Sequence, residues 1–343
     1  MRGASPVIPG AARGGHERLV VNLAEAADPS RAGGKGHGLY SLLKLGFNVP
    51  PGFVVTSAAY RRAAAAAAVR AAIGTFESHA AAARVPSPQA SAALERVRSA
   101  FIDTAIDVEV RAEIDAAWEL LVESAPGEIV VACRSSAIGE DSRDASYAGQ
   151  HATRLGLRDI AGVLRAIGEC WASYWTDQAV AYRRRVGAGP LAMAVVVQRV
   201  IRAELSGVAF TVNPVTGDPG EVVVNSTYGL GESVVSGSVT PDTYVVRKSD
   251  GELLASEISE SKSVMLEVGK SGGTVERAVE PALAAASSLS PGQLAEVVAR
   301  AIEIESRSGS PQDIEWAIEN GELFLLQARP VTTTSPRSGS RGL

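Results

Sequence analysis

The stretch that decides the reading is QDIEWAIENGELFLLQARP, residues 312–330. Two short apolar runs flank Asn320-Gly321, the dipeptide most typical of a tight hairpin turn, so the segment reads as a β-hairpin. Its strands look built for a core, yet they carry Asp313, Glu315, Gln327 and Arg329. Turn length decides which residues share a face, because a slip of one position sends every side chain to the other side. A two-residue loop pairs Glu319 with Glu322 and puts Glu315 and Gln327 on opposite sides of the ribbon. A three-residue loop, Glu319-Asn320-Gly321 with a left-handed Gly321 and a bulge, sorts the hairpin better. One face then holds Ile314, Trp316, Ile318, Phe324, Leu326 and Ala328. The other holds Asp313, Glu315, Leu325, Gln327 and Arg329. The odd register is the expectation. Two acids, an amide and a guanidinium on one face suit a metal-bound polyphosphate; a solvated outer face is the competing reading.

Bulk properties narrow the field. The chain has 343 residues, 46% of them hydrophobic, and a formal charge of -5. That is enough for one large domain or two ordinary ones, and the mild acidity leaves no footprint for nucleic acid or an anionic membrane. Two cysteines, Cys133 and Cys170, without metal-ligand spacing read as reduced core residues of a cytoplasmic protein. No apolar run approaches the roughly 20 residues of a membrane span, and the N-terminus lacks the apolar stretch of a signal peptide. Residues 1–17 and 333–343 read as disordered by composition.

Between them the texture changes near residue 190. The first part is helix-rich: a Gly-rich loop entering a helix closed by Gly46, an alanine-rich helix, amphipathic helix from about Ser91 to Ser124, and one or two helices after Ile160. The buried strand EIVVACRSSA interrupts it. From residue 191 the pattern is β-rich, with Gly, Pro and Asn turns, then a helix whose N-cap is Ser290 and whose first turn holds Pro291.

Four further segments could carry chemistry. In GGKGHGLYSLLKLG, Gly33, Gly34 and Gly36 free the backbone around Lys35 at a helix start, a place that favours an anion. It matches neither the P-loop nor the dinucleotide fingerprint, and a Gly-rich connector with a solvated lysine is its rival. In CRSSAIGEDSRDASYAGQHATRLGL, Arg134 follows a buried strand and can grip phosphate, or it can pair with Glu140, Asp141 or Asp144. The strand AVVVQ, ending at Gln198, can offer a backbone edge to a purine, or be an ordinary edge strand. The loop NSTYGLGE, with Asn225, Gly229, Gly231 and Glu232, can cover phosphates or serve as a plain connection. His16, His37, His79 and His151 form no metal pattern and read as solvated or structural, although His37 and His151 fall inside candidate phosphate loops.

In this order, the segments GGKGHGLYSLLKLGFNVPPGFVVT, CRSSAIGEDSRDASYAGQHATRLGL, SGVAFTVNPVTGD, YGLGESVVSGSVTPD and DIEWAIENGELFLLQARPVT resemble the N-terminal nucleotide-binding domain of the phosphoenolpyruvate synthase, pyruvate phosphate dikinase and rifampicin phosphotransferase family. The resemblance runs from about Val20 to Thr332. It implies an α+β fold of the ATP-grasp type, with a helix-rich subdomain (18–190), a β-rich subdomain (191–332) and the nucleotide cleft between them. It implies phosphate contacts by Lys35, Arg134 and Arg329, which are the candidate catalytic cations, with Gly149 and Thr153 near the phosphates. It places Gln198 at the adenine hinge, gives Mg²⁺ to Glu315 and Gln327, and makes Leu325 a candidate to pack under the purine. Ala152 stands where the family often has an acid.

The resemblance also implies cleavage of ATP to AMP and phosphate, with the phosphoryl group passing through a histidine to a small-molecule acceptor. None of the four histidines sits in a phosphohistidine-type loop, so the expectation is an ATP-binding component working with a separate histidine-bearing phosphocarrier, or a stand-alone descendant. A self-sufficient ATP-grasp kinase or ligase, and a non-catalytic nucleotide-binding module, are the alternatives.

Overall fold

The computed structural model describes residues 17–82, 87–125, 127–139, 152–185, 192–232, 237, 239–260, 262, 264–269 and 272–331. The expectations for residues 1–16, 140–151 and 332–343 lie outside this set. The chain divides into two compact units. The first comprises residues 1–44, 50–200 and 268–274, and the second residues 45–49, 201–267 and 275–343.

The first unit is built on a five-stranded antiparallel sheet. Its strands are β1 (Val20–Asn22), β2 (Gly52–Val55), β3 (Val131–Ala137), β4 (Thr153–Leu157) and β5 (Met193–Arg199), in the order β1-β2-β5-β3-β4. The continuous apolar run Met193–Val197 takes the centre, which is where a strand buried on both faces belongs. One face carries Phe53, Val55, Val131, Cys133, Val195 and Val197 into a core shared with helices α3 (Ala67–Ala82), α4 (Pro88–Asp103), α5 (Val108–Glu123) and α6 (Ile160–Ser173). The amphipathic stretch expected over 91–124 is two helices. The first ends at Asp103, and Asp107 starts the second by accepting from the amides of Glu109 and Val110. The other face is covered by α1 (Pro29–Lys44). Helices α2 (Ser57–Ala65) and α7 (Asp177–Arg185) complete the unit.

The second unit is a six-stranded antiparallel sheet in the order β13-β12-β6-β7-β8-β9. These are β6 (Leu205–Phe210), β7 (Glu221–Tyr228), β8 (Asp242–Arg247), β9 (Leu253–Glu257), β12 (Gln312–Glu319) and β13 (Glu322–Pro330). A short ribbon, β10 (Val264–Val268) with β11 (Thr274–Ala278), and a single helical turn, α8 (Pro281–Ala284), precede α9 (Pro291–Ser308). The sequence-based reading of α9 is borne out at its start. Ser290 and Gln293 form a reciprocal capping box, with Pro291 in the first turn, and a left-handed Gly309 closes the helix. Leu294, Val297, Val298, Ala301 and Ile304 form its buried stripe.

A wholly buried ion pair sits in the second unit. Lys262 and Asp242 are both fully removed from solvent and in direct contact. Lys262 also donates to the Ala286 carbonyl at 2.8 Å. Asp242 accepts from the amides of Ser259 and Ser288 and from the Ser288 hydroxyl. Burial pushes the Asp242 carboxyl up, but Lys262 and the Ser288 donors outweigh it and hold the group below the ordinary carboxylate range. A pair this dry is stable only while all its partners are present. Lys262→Met should therefore cost about 3–5 kcal/mol in urea denaturation at neutral pH. Because the folded carboxyl titrates below its unfolded value, the pair's contribution is complete at neutral pH and fades as the pH falls below about 4. The gap between variant and parent should narrow correspondingly.

Candidate functional site

In the first unit, the Gly-rich segment is fixed against β3 by one hydroxyl. Ser136 donates to the Ala32 carbonyl at 2.8 Å and accepts from the Gly36 amide at 3.2 Å. Gly33 interrupts α1 with φ +70°, and a Cβ there would lie 2.2 Å from the Ser136 carbonyl oxygen. Only glycine satisfies both the left-handed angle and that approach. Lys35 stands between these two fixed points.

Arg134, two residues before Ser136 on β3, shares its sheet face. Its neighbours in register are Thr153 on β4 and Val196 on β5. Burial pushes the Cys170 thiol up to about 12, and Lys35 and Arg154 pull against that rise. Register thus sets Arg134 beside Thr153, on the face of β3 to which Ser136 ties the Gly-rich segment that carries Lys35. Gly149, and the rival partners Glu140, Asp141 and Asp144, lie outside the described residues.

The backbone-edge reading of Gln198 is corrected. β5 is the central strand, and Gln198 is flanked by Gly52 on one side and Ala132 on the other. Its side chain is buried and donates to the Pro50 carbonyl at 3.1 Å. Pairing on both flanks leaves no open edge at that residue. The His37 ring contacts the Ala27 carbonyl at 2.8 Å and that of His79 the Thr75 carbonyl at 2.7 Å. His16 and His151 lie outside the described residues.

In the second unit, the hairpin turns by a different route from the one expected. Asn320 (φ +52°) and Gly321 (φ +77°) alone form the loop, and Glu319 pairs with Glu322. Two successive left-handed residues are the signature of the type I′ turn. The register shifts further along: Trp316 pairs with Leu325, but Glu315 pairs with Gln327. Leu326 is the extra residue of a bulge. The three-residue loop is thus wrong, while the juxtaposition of Glu315 with Gln327 holds. Moving the extra residue from the turn to the strand changes the face of those before it. Leu325 joins Trp316 and is buried. Phe324 and Leu326 instead pack with Ala317, Ile201 and Ala203. The proposed purine contact at Leu325 is therefore on the wrong face.

The polar face has an order along the strands. Ala317 and Phe324 form one step, Glu315 and Gln327 the next, Asp313 and Arg329 the third. In the third, the Arg329 guanidinium donates twice to Asp313, from Nε at 2.9 Å and Nη2 at 2.8 Å. Burial pushes the Asp313 carboxyl up; Arg329 opposes that rise and neighbouring Glu315 adds to it. Asn225, expected in a loop, lies inside β7 on this same face, opposite Val208, which itself opposes Glu315.

Among the described residues no cluster of three or more His, Cys, Asp or Glu could enclose a metal ion. Glu315 with Gln327 still suits Mg²⁺, a hard cation that is commonly held by one or two protein oxygens while phosphates and water fill its octahedron. Along the strands an apolar step, an oxygen pair and an arginine thus follow one another. Helices with two antiparallel sheets, one carrying this polar face and the other a Gly-rich lysine segment, are the α+β make-up of an ATP-grasp-type nucleotide-binding domain.

The family model described as "Pyruvate phosphate dikinase, AMP/ATP-binding domain" matches residues 29–341. The probable phosphoenolpyruvate synthase of Methanothermobacter thermautotrophicus is 38% identical, over 89% of this chain and 44% of its own length. The rifampicin phosphotransferase of Streptomyces sviceus is 36% identical, over 93% of this chain and 36% of its own. The prodigiosin synthesizing transferase PigC of Serratia marcescens is 35% identical, over 92% and 33%. The chain belongs to the pyruvate phosphate dikinase AMP/ATP-binding domain family, and it spans less than half the length of each of these relatives. No described helix is long and apolar enough to cross a membrane.

The Asp313–Arg329 pair supplies a test of this face. An acid whose folded pKa is raised is most favourable to the fold below its unfolded value of about 4, and loses that advantage as the pH rises through the folded value. Arg329→Leu removes the compensating cation, so Asp313 should titrate higher still in a carbon-13 carboxyl titration. Urea denaturation should show the variant losing more stability than the parent between pH 4 and pH 7. Equal losses would mean that Arg329 does not compensate Asp313.

Proposed function

We infer that the chain binds Mg²⁺-ATP and acts as the nucleotide-binding component of an ATP-dependent phosphotransferase. The observation that carries this reading is the pairing of Glu315 with Gln327 between the Asp313–Arg329 pair and the apolar patch of Ala317, Phe324 and Leu326. Glu315 and Gln327 hold the cation through oxygen. A bound Mg²⁺ neutralises charge on the polyphosphate and orients it. Lys35, Arg134 and Arg329 bind phosphate oxygens, with Thr153 on β4 paired to Arg134; the expected contact by Gly149 falls outside the described residues. Ile201, Ala203, Phe324 and Leu326 form a dry wall for the purine. Gln198, tied to Pro50, braces the strand that leads into Ile201.

Phosphoryl transfer needs little covalent help from a protein; it needs alignment and positive charge where the transferred group passes. The relatives named phosphoenolpyruvate synthase and rifampicin phosphotransferase favour a scheme in which ATP yields AMP and phosphate. In it, a histidine on a separate partner protein takes the phosphoryl group before a small acceptor does. The relatives' names differ in acceptor, and the acceptor stays open between pyruvate, a rifamycin-like drug and another metabolite.

Product analysis tests the scheme. AMP and phosphate should form only when a histidine-bearing partner and an acceptor are both present; ADP formed by the chain alone would point to direct phosphorylation instead. Glu315→Ala should lower Mg²⁺-dependent ATP binding by about a hundredfold or more in calorimetric titration, beyond the roughly ten- to hundredfold that loss of an outer-shell partner costs. An Mg²⁺ response like the parent's would remove the basis of the assignment.

A further inference from the structure

The register of the second sheet extends the metal row beyond the hairpin. Gln327 on β13 opposes Glu315 on β12, Glu315 opposes Val208 on β6, Val208 opposes Asn225 on β7, and Asn225 opposes Thr243 on β8. All five Cβ atoms therefore leave the sheet on one side. Val208 is short, so the row dips between Glu315 and Asn225. Beside the dip, Gly207 keeps the β6 and β7 backbones close: a Cβ there would fall 1.8 Å from the Asn225 carbonyl oxygen.

The Asn225 amide has a fixed direction. Its Nδ2 donates to the Thr243 hydroxyl at 2.7 Å, on the β8 side. In a planar carboxamide the oxygen then faces the other way, across the dip toward β12. Asn225 and Glu315 are two strand spacings apart, about 10 Å between backbones. A divalent cation held by Glu315 would reach an acceptor across such a gap only through a bound water, since Mg²⁺ keeps part of its hydration shell. Side chains that lean in from backbones so spaced leave room for a cation and one water between them, and the Thr243 bond orients the acceptor.

We propose that Asn225, oriented by Thr243, is a positioning residue that accepts a hydrogen bond from a water on the divalent cation held by Glu315 and Gln327. The proposal rests on the Mg²⁺-ATP reading above. Asn225 makes no direct bond to the ion. By holding one water of the shell it would strengthen the hold on the cation that Glu315 and Gln327 bind through oxygen.

The test is equilibrium dialysis of ATP against the full chain over a range of Mg²⁺ concentrations, with a metal-free arm. Asn225→Ala should raise the Mg²⁺ concentration for half-maximal ATP binding on the order of tenfold, as loss of an outer-shell partner does. ATP affinity without metal should stay at the parent value. Asn225→Asp keeps an oxygen acceptor and should leave the midpoint at or below that of the parent. Thr243→Val frees the amide to turn and should raise the midpoint by a smaller factor. An unchanged midpoint in Asn225→Ala overturns the proposal, as does an equal loss of metal-free affinity or a midpoint in Asn225→Asp raised like that of alanine. Should Asn225→Ala fail to fold, Thr243→Val carries the test, and an unchanged midpoint there overturns the proposal. Glu315→Ala separates the two levels. If it leaves the midpoint where it was, the Mg²⁺-ATP reading itself fails; if it abolishes the response while Asn225→Ala does nothing, only the role of Asn225 fails.

Discussion

The pairing of β12 with β13 is the constraint on which the second unit's chemistry depends. A two-residue turn starts the hairpin in one phase, and a single extra residue, Leu326, changes that phase before the strands end. Without the bulge, Glu315 would oppose Leu326 and Gln327 would belong to the opposite face. With it, an oxygen pair and an ion pair stand in adjacent steps on one side, while Trp316 and Leu325 remain buried on the other. A bulge commonly serves this purpose, re-aiming side chains where a regular ladder cannot.

The first unit reaches a comparable end by different means. There the backbone rather than a side-chain row is positioned, and close approach does the positioning. The Ser136 hydroxyl ties two turns of the Gly-rich segment to a core strand, and Gly33 lets the chain come near enough. The lysine between them is carried on a scaffold that is itself part of the packed sheet. In the second unit the buried Asp242–Lys262 pair plays a similar structural part, joining the start of β8 to the segments before β10 and α9. Both devices fail abruptly when one member is lost, since the groups left behind are buried without a partner.

Local signals were the legible ones. The Asn-Gly turn, the cap at Ser290, the buried run before Gln198 and the Gly-rich entry to α1 all follow from propensities acting over a few residues. What the sequence concealed depends on distant partners. Gln198 looked like an edge because nothing nearby in the chain announces that β2 and β3 will flank it. The apolar patch was missed because Ile201 and Ala203 are more than a hundred residues from Phe324 and Leu326. Asn225 was assigned to a loop because it is followed by small residues, yet β7 runs on to Tyr228. The hairpin is the instructive case: amphipathic sorting found that an extra residue was needed and which polar groups would meet. It could not tell a bulge at the turn from one four residues into the strand.

The two thiols have a practical bearing. Cys133 and Cys170 are fully buried, and burial raises both well above the range in which a thiolate forms at neutral pH. They are the chain's whole complement of cysteine. The folded molecule is thus silent toward maleimides and similar reagents, and a thiol introduced on the exposed turn at Val215 would be its sole reactive handle. Fluorophores or spin labels could be attached there without first stripping out the native sulfur.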